Sequence, residues 1–490
     1  MAAALRFSAL DRVPPGIYWD EVVDGQKGLE AVREQKFEVF YHVGSGREGL
    51  WINMLGLAES AFGANPFGLR ICAALVGTLT VVFVYFLARE LFTNRVAIFA
   101  AWLLASSFWH VWVSRMAYRA VLVPLLLTAS LYLLIRAWRE GDGALDPAWQ
   151  WPAVILSGAL YGLGFHSYIA FRFTPILLAF FLLSEYRRRK AFGRLDTRWR
   201  AMVSLWLGTA FIVALPIGLY FLEHPQDFWL RAGQVSVFSV QYPLRAFGNA
   251  LVATLGLFNI RGDLGSVNNI GGSPQLLFPV GVLFLIGIVL ASRRAFQKDN
   301  QAAGYRLLCA WFAILLIPHL LTLDVPNAVR AIGVIPPVFL FAGMGADVLY
   351  ERLKQKKVYA LAFFLGLVLV SAVEGYRYFV VWGRDPWVAR TFGHQYVNVG
   401  QYLNSLPKGT TRYVIAGDWG TETIRFLTQG SPSVKYLTWE QFKTTDFPCD
   451  SVVVPLYNQP MVFADLANRE LKMQVVNEKD FAIAAVQCGH

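Results

Sequence analysis

The chain has 490 residues, of which 56% are hydrophobic and 16% charged, with a mean hydropathy of +0.44. That balance excludes a water-soluble globule and makes a polytopic membrane protein. The net charge of +11 therefore reads first as membrane topology, and no nucleic-acid partner is expected.

In chain order, Met1 to Leu10 is too short to cross a bilayer and lacks the charged start, apolar run and cleavage site of a signal peptide. We expect a missing upstream helix, with Ala2 to Leu10 as its outer end; a short translocated N-tail is the plainer alternative. The polar lead that follows holds an adjacent acid pair in Pro14-Pro15-Gly16-Ile17-Tyr18-Trp19-Asp20-Glu21, then Asp24-Gly25. This turn-prone stretch leads into a helix-compatible run from Gln26 to Phe37. Asp20 and Glu21 are the candidates for chemistry, since a carboxylate on a half-buried aromatic surface can be tuned to take a proton from a hydroxyl. A charge pair favoured by the dipole of a helix N-terminus is the plainer alternative.

Ten apolar stretches follow, near 71–88, 96–114, 120–135, 147–171, 173–184, 201–222, 274–292, 307–323, 331–346 and 358–373. With flanking residues each supplies a helix of about 20 residues, enough for a hydrocarbon core of roughly 30 Å. Assigning their connections alternately to two sides puts 19 basic residues on one, including the Arg187-Arg188-Arg189-Lys190 run, and seven on the other. The richer side is cytoplasmic. The N-terminal 65 residues, the loops at 114–119, 166–172, 223–273 and 324–330, and everything after Tyr378 then face outward. Ala246 to Ile260 is also apolar, but counting it as a span would turn Arg293, Arg294 and Lys298 outward, so it is expected along the interface.

The last 110 or so residues change character. Short β-rich runs at Arg412 to Ala416, Ser451 to Leu456 and Phe481 to Val486, with a helical Thr421 to Thr428, predict a small α/β domain. Cys449 and Cys488 flank two of those strands, and antiparallel neighbours would bring them together in a compartment that permits a disulfide. The segmentation is 1–65, an external segment with the acidic loop; 66–378, the transmembrane domain; and 379–490, an extracytoplasmic α/β domain. The fold class is an all-α polytopic membrane bundle of about ten transmembrane helices with that domain appended.

The order and spacing of several pieces resemble the GT-C glycosyltransferases, family 39, related to protein O-mannosyltransferases and lipid A aminoarabinose transferases. They are the approach from Pro15 to Asp20-Glu21, Gly49-Leu50-Trp51-Ile52-Asn53-Met54, Phe67-Gly68-Leu69-Arg70, Tyr85 to Phe92, and Ser106 to Arg115. The likeness runs more loosely to about residue 350. The resemblance implies a polyprenyl-phosphate-linked sugar as donor, transfer on the outer face with inversion, Asp20 as the catalytic carboxylate and Glu21 beside it. The acceptor is a hydroxyl of a protein, lipid or glycan. A multi-pass protein of a prokaryotic plasma membrane, in contact with membrane lipids, is expected.

A leaving lipid phosphate needs cations, and Arg115, Arg119, Arg172 and Arg330 are the candidates at the outer edge. Arg172 is separated from Glu185 by twelve uncharged residues, so its helix draws it into the membrane boundary, where a guanidinium faces a partner or cavity or snorkels to the headgroups. Arg330, in Asp324-Val325-Pro326-Asn327-Ala328-Val329-Arg330, matches an outer-loop arginine common in the resembling group. Substrate contacts are assigned to His166, Tyr168, Arg261, Asp263, Asn268 and Asn269, the last four in a polar, Gly-rich loop. Many relatives carry a second acid between Arg115 and Ala120. This chain reads Met116-Ala117-Tyr118-Arg119 there, and His42, His110, His166 and His319 share no metal-binding spacing. No cofactor is expected, and a divalent metal is not favoured. The alternative function is a transporter or flippase of lipid-linked sugars, which should carry broken helices or midplane charges, whereas here the ionisable residues crowd one edge.

Overall fold

The computed structural model describes residues 1–139, 144–193, 195–298, 302–416, 420–457, 459–469, 473–477 and 480–486. The chain forms two compact bodies, one of residues 1–8, 37–53 and 71–382, the other of 9–36, 54–70 and 383–490. The acidic lead thus shares a body with the C-terminal domain, although more than 350 residues separate them in sequence.

Among the described residues, eight helices are long and apolar enough to cross a membrane. Of the other two predicted segments, 147–171 contains the helix Pro147–Gly164, while 96–114 is broken at Ser107 into the helices Asn94–Ser106 and Phe108–Val113. Of the eight long helices, the one at Ile335–Leu353 is the most enclosed. Its neighbours come close because glycines remove side chains where backbones meet: a Cβ on Gly287 would lie 1.7 Å from the Phe341 carbonyl oxygen, and one on Gly345 2.0 Å from that of Leu283. The apolar stretch near 246–260 forms a helix of only 14 residues, Pro243–Gly256. At 1.5 Å per residue it reaches about 21 Å, short of a hydrocarbon core. A short hairpin, β1 (Phe40–Tyr41) and β2 (Arg47–Glu48), pairs antiparallel just ahead of the helix Gly49–Phe62.

In the second body, β3 (Arg412–Ile415), β4 (Val434–Leu437), β5 (Val452–Pro455), β6 (Met473–Asn477) and β7 (Ala482–Val486) form one mixed sheet in the order β4-β3-β5-β7-β6. β3 is parallel to β4 and β5, while β7 is antiparallel to β5 and β6. Side chains alternate between two cores. Val414 and Val454 meet Tyr396, Leu403 and Ile424 on one face; Tyr413, Ile415 and Val453 meet Phe442, Val462 and Leu466 on the other. Both faces are covered, which is why these strands read as unbroken apolar runs. The three expected strands and the expected helix, here Gly420–Leu427, are present. Cys449 is exposed, while Cys488 lies outside the described residues, so the expected pairing is not addressed.

Candidate functional site

The acid pair does not sit in a loop ahead of the predicted Gln26 to Phe37 helix. It occupies the first turn of a helix running Trp19–Arg33. The helix starts early because the Glu21 carboxylate folds back to accept the Tyr18 backbone N–H at 3.0 Å, satisfying a donor that an N-terminus leaves orphaned, and because acids favour the positive end of the dipole.

The two neighbours have separate fates. Glu21 is fully buried, and Arg70, also fully buried, clamps it from two sides: Nε donates to Oε1 at 3.0 Å and one terminal nitrogen to Oε2 at 2.9 Å. The same guanidinium donates to the carbonyls of Pro14 at 2.9 Å and Gly16 at 2.7 Å. Four hydrogen bonds from one side chain thus pin the turn that delivers Asp20, and Glu21 is spent in holding it. Asp20 is half-exposed. Beside it, the Tyr18 phenol is held above its ordinary pKa by burial and next by the charge of Asp20.

A third acid missed by sequence reasoning packs against this helix. Glu59 is 1% exposed, and neither of its oxygens receives a hydrogen bond among the described residues. It fits because Gly25 has no side chain: a Cβ there would lie 2.5 Å from the Glu59 Oε1. Burial first, and then the charge of Asp24, raise the Glu59 carboxyl well above the carboxylate range. The folded state therefore binds its proton more tightly than the unfolded one. The stabilisation this gives is complete below the unfolded value of about 4.3 and is lost as pH rises through the folded value. Glu59→Gln should therefore match the wild type near pH 4 and become more stable than it by about 1–3 kcal/mol towards pH 8. Thermal unfolding in detergent across that range checks this, and a difference independent of pH would refute it.

In the first body, most of the candidate arginines already have occupations. Arg115 is fully buried, donating to the carbonyls of Leu5 at 3.0 Å and Arg6 at 2.8 Å and to the Tyr378 hydroxyl at 3.2 Å. The rings of Tyr378 and Phe379 lie under it at 5.4 and 5.0 Å. Its place is in the core rather than at a ligand. Arg119 and Arg172 share the buried Glu48, at 3.3 and 3.2 Å. Arg172 also donates to the Phe228 carbonyl at 2.7 Å and stacks on Phe221 and Phe228. The sequence reading followed cations and overlooked Glu48, the acid that precedes an apolar helix and draws both of them in.

Arg330 differs. It pairs with the exposed Asp324 at 3.2 Å and lines an apolar cavity of about 230 Å³ together with Tyr168, Phe173, Trp229, Phe238, Pro318 and Leu321. One wall is tied by backbone pairing, Val237 N–H to Leu321 at 3.0 Å and Leu323 N–H to Val235 at 2.9 Å. The loop bearing Arg330 is itself laced. Asp263 accepts the Ala328 N–H at 2.8 Å, and Trp109 donates to the Ala328 carbonyl at 3.0 Å. His319 accepts the Asn327 N–H at 3.0 Å, and Asn327 Oδ1 accepts the N–H of Arg330 at 3.1 Å.

Asp263 and Asn269 are buried and bonded within their own loop. Asp263 also accepts from Gly265 N–H and Asn268, and Asn269 donates to the carbonyls of Asp263 and Ser273. Buried donors and acceptors must find partners; most here find each other, but Asn269 Oδ1 and the Gln275 amide have none among the described residues. Arg261 is exposed, and His166 is hydrogen-bonded to the Val213 carbonyl at 2.9 Å. Of the residues proposed for substrate contact, only Tyr168 lines this cavity. A second apolar cavity, of about 380 Å³, is bordered by Arg172, Phe165 and Phe228. Among the described residues no group of three or more His, Cys, Asp or Glu side chains is arranged to hold a metal ion.

The sequence profile described as dolichyl-phosphate-mannose-protein mannosyltransferase matches residues 50–220. No curated protein sequence matches the chain. The chain is similar in structure to ArnT from Cupriavidus metallidurans bound to undecaprenyl phosphate, with a TM-score of 0.54 and 14% identity over 99% of this chain and 96% of that one. The apo form of the same protein gives a TM-score of 0.54 at 15% identity, covering 98% and 96%. The oligosaccharyltransferase of Archaeoglobus fulgidus, crystallised with Zn and sulfate, gives 0.50 at 16% identity, covering 90% of this chain and 62% of that one. The bundle of apolar helices followed by a C-terminal mixed sheet is thus similar in fold to these structures, and residues 50–220 resemble the mannosyltransferase profile.

Proposed function

We propose that this protein transfers a glycosyl unit from a polyprenyl-phosphate donor to an acceptor hydroxyl, with inversion, on the outer face of the membrane. The observation that carries the reading is the cavity beside Arg330, apolar along its length and bordered by a guanidinium held in a laced loop. An amphiphile with an oily chain and an anionic phosphate matches that lining, since a planar guanidinium suits phosphate oxygens and a dry wall suits isoprene. That a structurally similar protein was crystallised with undecaprenyl phosphate supports the choice of lipid.

Asp20 is the base in this reading. It takes the proton of the acceptor hydroxyl as that oxygen bonds to the anomeric carbon. The bond from that carbon to the phosphate oxygen breaks, and the lipid phosphate leaves with the electron pair. The excess of basic residues on the opposite set of loops supports an outward-facing reaction.

Incubating the purified protein with a panel of polyprenyl-phosphate sugars and following release of the lipid phosphate tests this. Release with sugar transfer is expected. Movement of the intact donor between leaflets of proteoliposomes, without release, would instead establish the transporter. Arg330→Ala removes a charge-assisted contact of about 1.5–3 kcal/mol, so the donor KM should rise roughly ten- to hundredfold. An unchanged donor KM would remove Arg330 from the site. Phosphate charge is assigned here to arginine rather than to a divalent ion, so turnover should survive EDTA; abolition by chelation and recovery with added metal would overturn that assignment.

A further inference from the structure

The helix that carries Asp20 has few resources of its own. Its 15 residues are about the length at which an isolated helix is marginal in water, so its position must come from what it packs on. One support is the end of the helix Gly49–Phe62, where Gly56 and Gly28 let the backbones meet: a Cβ on Gly56 would lie 2.1 Å from the Gly28 carbonyl oxygen.

The other support is the C-terminal domain, at two points. Ahead of the helix, Ile17 N–H donates to the Phe392 carbonyl at 2.7 Å, and the Tyr18 and Phe392 rings lie 5.5 Å apart. Gly16 has a φ of +80°, and a Cβ on it would lie 2.3 Å from that same carbonyl oxygen, so only glycine permits this approach. Farther along, the Gln26 side-chain amide donates to both the carbonyl and the carboxylate of Glu422, at 3.0 and 3.1 Å. Glu422 lies in the first turn of Gly420–Leu427, a helix seated on the sheet through Ile424. Gly25 completes the seat, where a Cβ would meet the Phe426 ring at 3.0 Å.

We propose that the C-terminal α/β domain is the positioning body of the catalytic base, with Gln26 and Glu422 as positioning residues for Asp20. The inference rests on the reading of Asp20 as the base. The fastenings at Phe392 and Glu422 bracket Asp20, so displacement of the helix on the sheet domain displaces the carboxylate by a similar amount. A misplacement of about 1 Å can cost on the order of a hundredfold in rate.

The test is a charge swap, read by steady-state kinetics with thermal unfolding as the folding control. Gln26→Glu sets a carboxylate against that of Glu422 and should lower kcat about ten- to hundredfold, with the donor KM within twofold of the wild type. Combining it with Glu422→Gln restores the side-chain bond with donor and acceptor reversed, though not the bond to the Glu422 backbone carbonyl, so kcat should recover in part, at least fivefold. If Gln26→Glu does not fold, Gln26→Ala removes only the two hydrogen bonds and should still lower kcat with the donor KM held. Wild-type kcat in a folded Gln26→Glu or Gln26→Ala protein, with Asp20→Asn inactive, overturns the positioning role and leaves the base intact. A loss that the swap fails to recover, or one shared equally by kcat and donor KM, overturns it as well. Full turnover in Asp20→Asn removes the base and the inference with it.

Discussion

Replacing Asp20 by Asn lowers turnover by about 10²- to 10⁴-fold, the range that a positioned general base contributes. Asn keeps the shape and still accepts a hydrogen bond, but it cannot take up the hydroxyl proton. The fold should notice little. Asp20 is half-exposed in a first turn whose capping comes from Glu21, so the loss is confined to one favourable charge at a helix N-terminus, about 0.3–1 kcal/mol. Rates of lipid-phosphate release and melting temperatures of the two proteins check both halves. Turnover within threefold of the wild type would eliminate Asp20 as the base, whereas a large fall in melting temperature would assign it to structure.

Truncating Arg70 to Ala gives the opposite signature, a loss of stability with activity falling as a consequence. It removes four hydrogen bonds and strands Glu21 as a carboxylate with no exposure to water. Breaking a buried ion pair from one side costs about 3–5 kcal/mol, most of it the uncompensated charge. Pairing Arg70→Met with Glu21→Gln should therefore unfold at a higher temperature than Arg70→Met alone, since the second change removes the charge that the first has orphaned. Activity need not follow. The double variant still lacks the donors to the Pro14 and Gly16 carbonyls, so the turn that aims Asp20 stays loose and kcat stays low. Additive losses in this cycle would show that Glu21 and Arg70 do not act as a unit.

Much of the fold was legible because its signals are local. A run of apolar residues as long as a bilayer is thick declares a helix whatever surrounds it. Eight such runs form helices long and apolar enough to cross a membrane among the described residues, while 96–114 breaks at Ser107 and Ala246 to Ile260 yields a helix of 14 residues. In the C-terminal domain, β3, β5 and β7 showed themselves as apolar runs because both their faces are covered. β4 and β6 did not. They are the two edges of the sheet, where one flank lacks a neighbouring strand, and β4 mixes Lys435 and Tyr436 into a four-residue stretch.

The candidate site divides in the same way. Asp20 and Glu21 were found as a pair because adjacency is a property of sequence. Their separate fates were not, because Glu21 is claimed by Arg70, 49 positions away. Arg115, Arg119, Arg172 and Arg330 share a residue type and all flank apolar segments, and nothing local ranks them. Arg172 and Arg330 each border an apolar cavity, but Arg172 is paired with the buried Glu48, whereas Arg330 is paired with the exposed Asp324. Asp263 and Asn269, expected to contact a sugar, bind their own loop, a pairing no local signal announces. The sequence by itself determined the membrane class, the helical segments, the sheet domain and the acid that we assign to catalysis. The tertiary structure decided which charges are already paired and which body carries the acidic helix. The physical reason is that hydrophobic length is written residue by residue, whereas a buried charge must be matched by whatever group the folded chain brings to it.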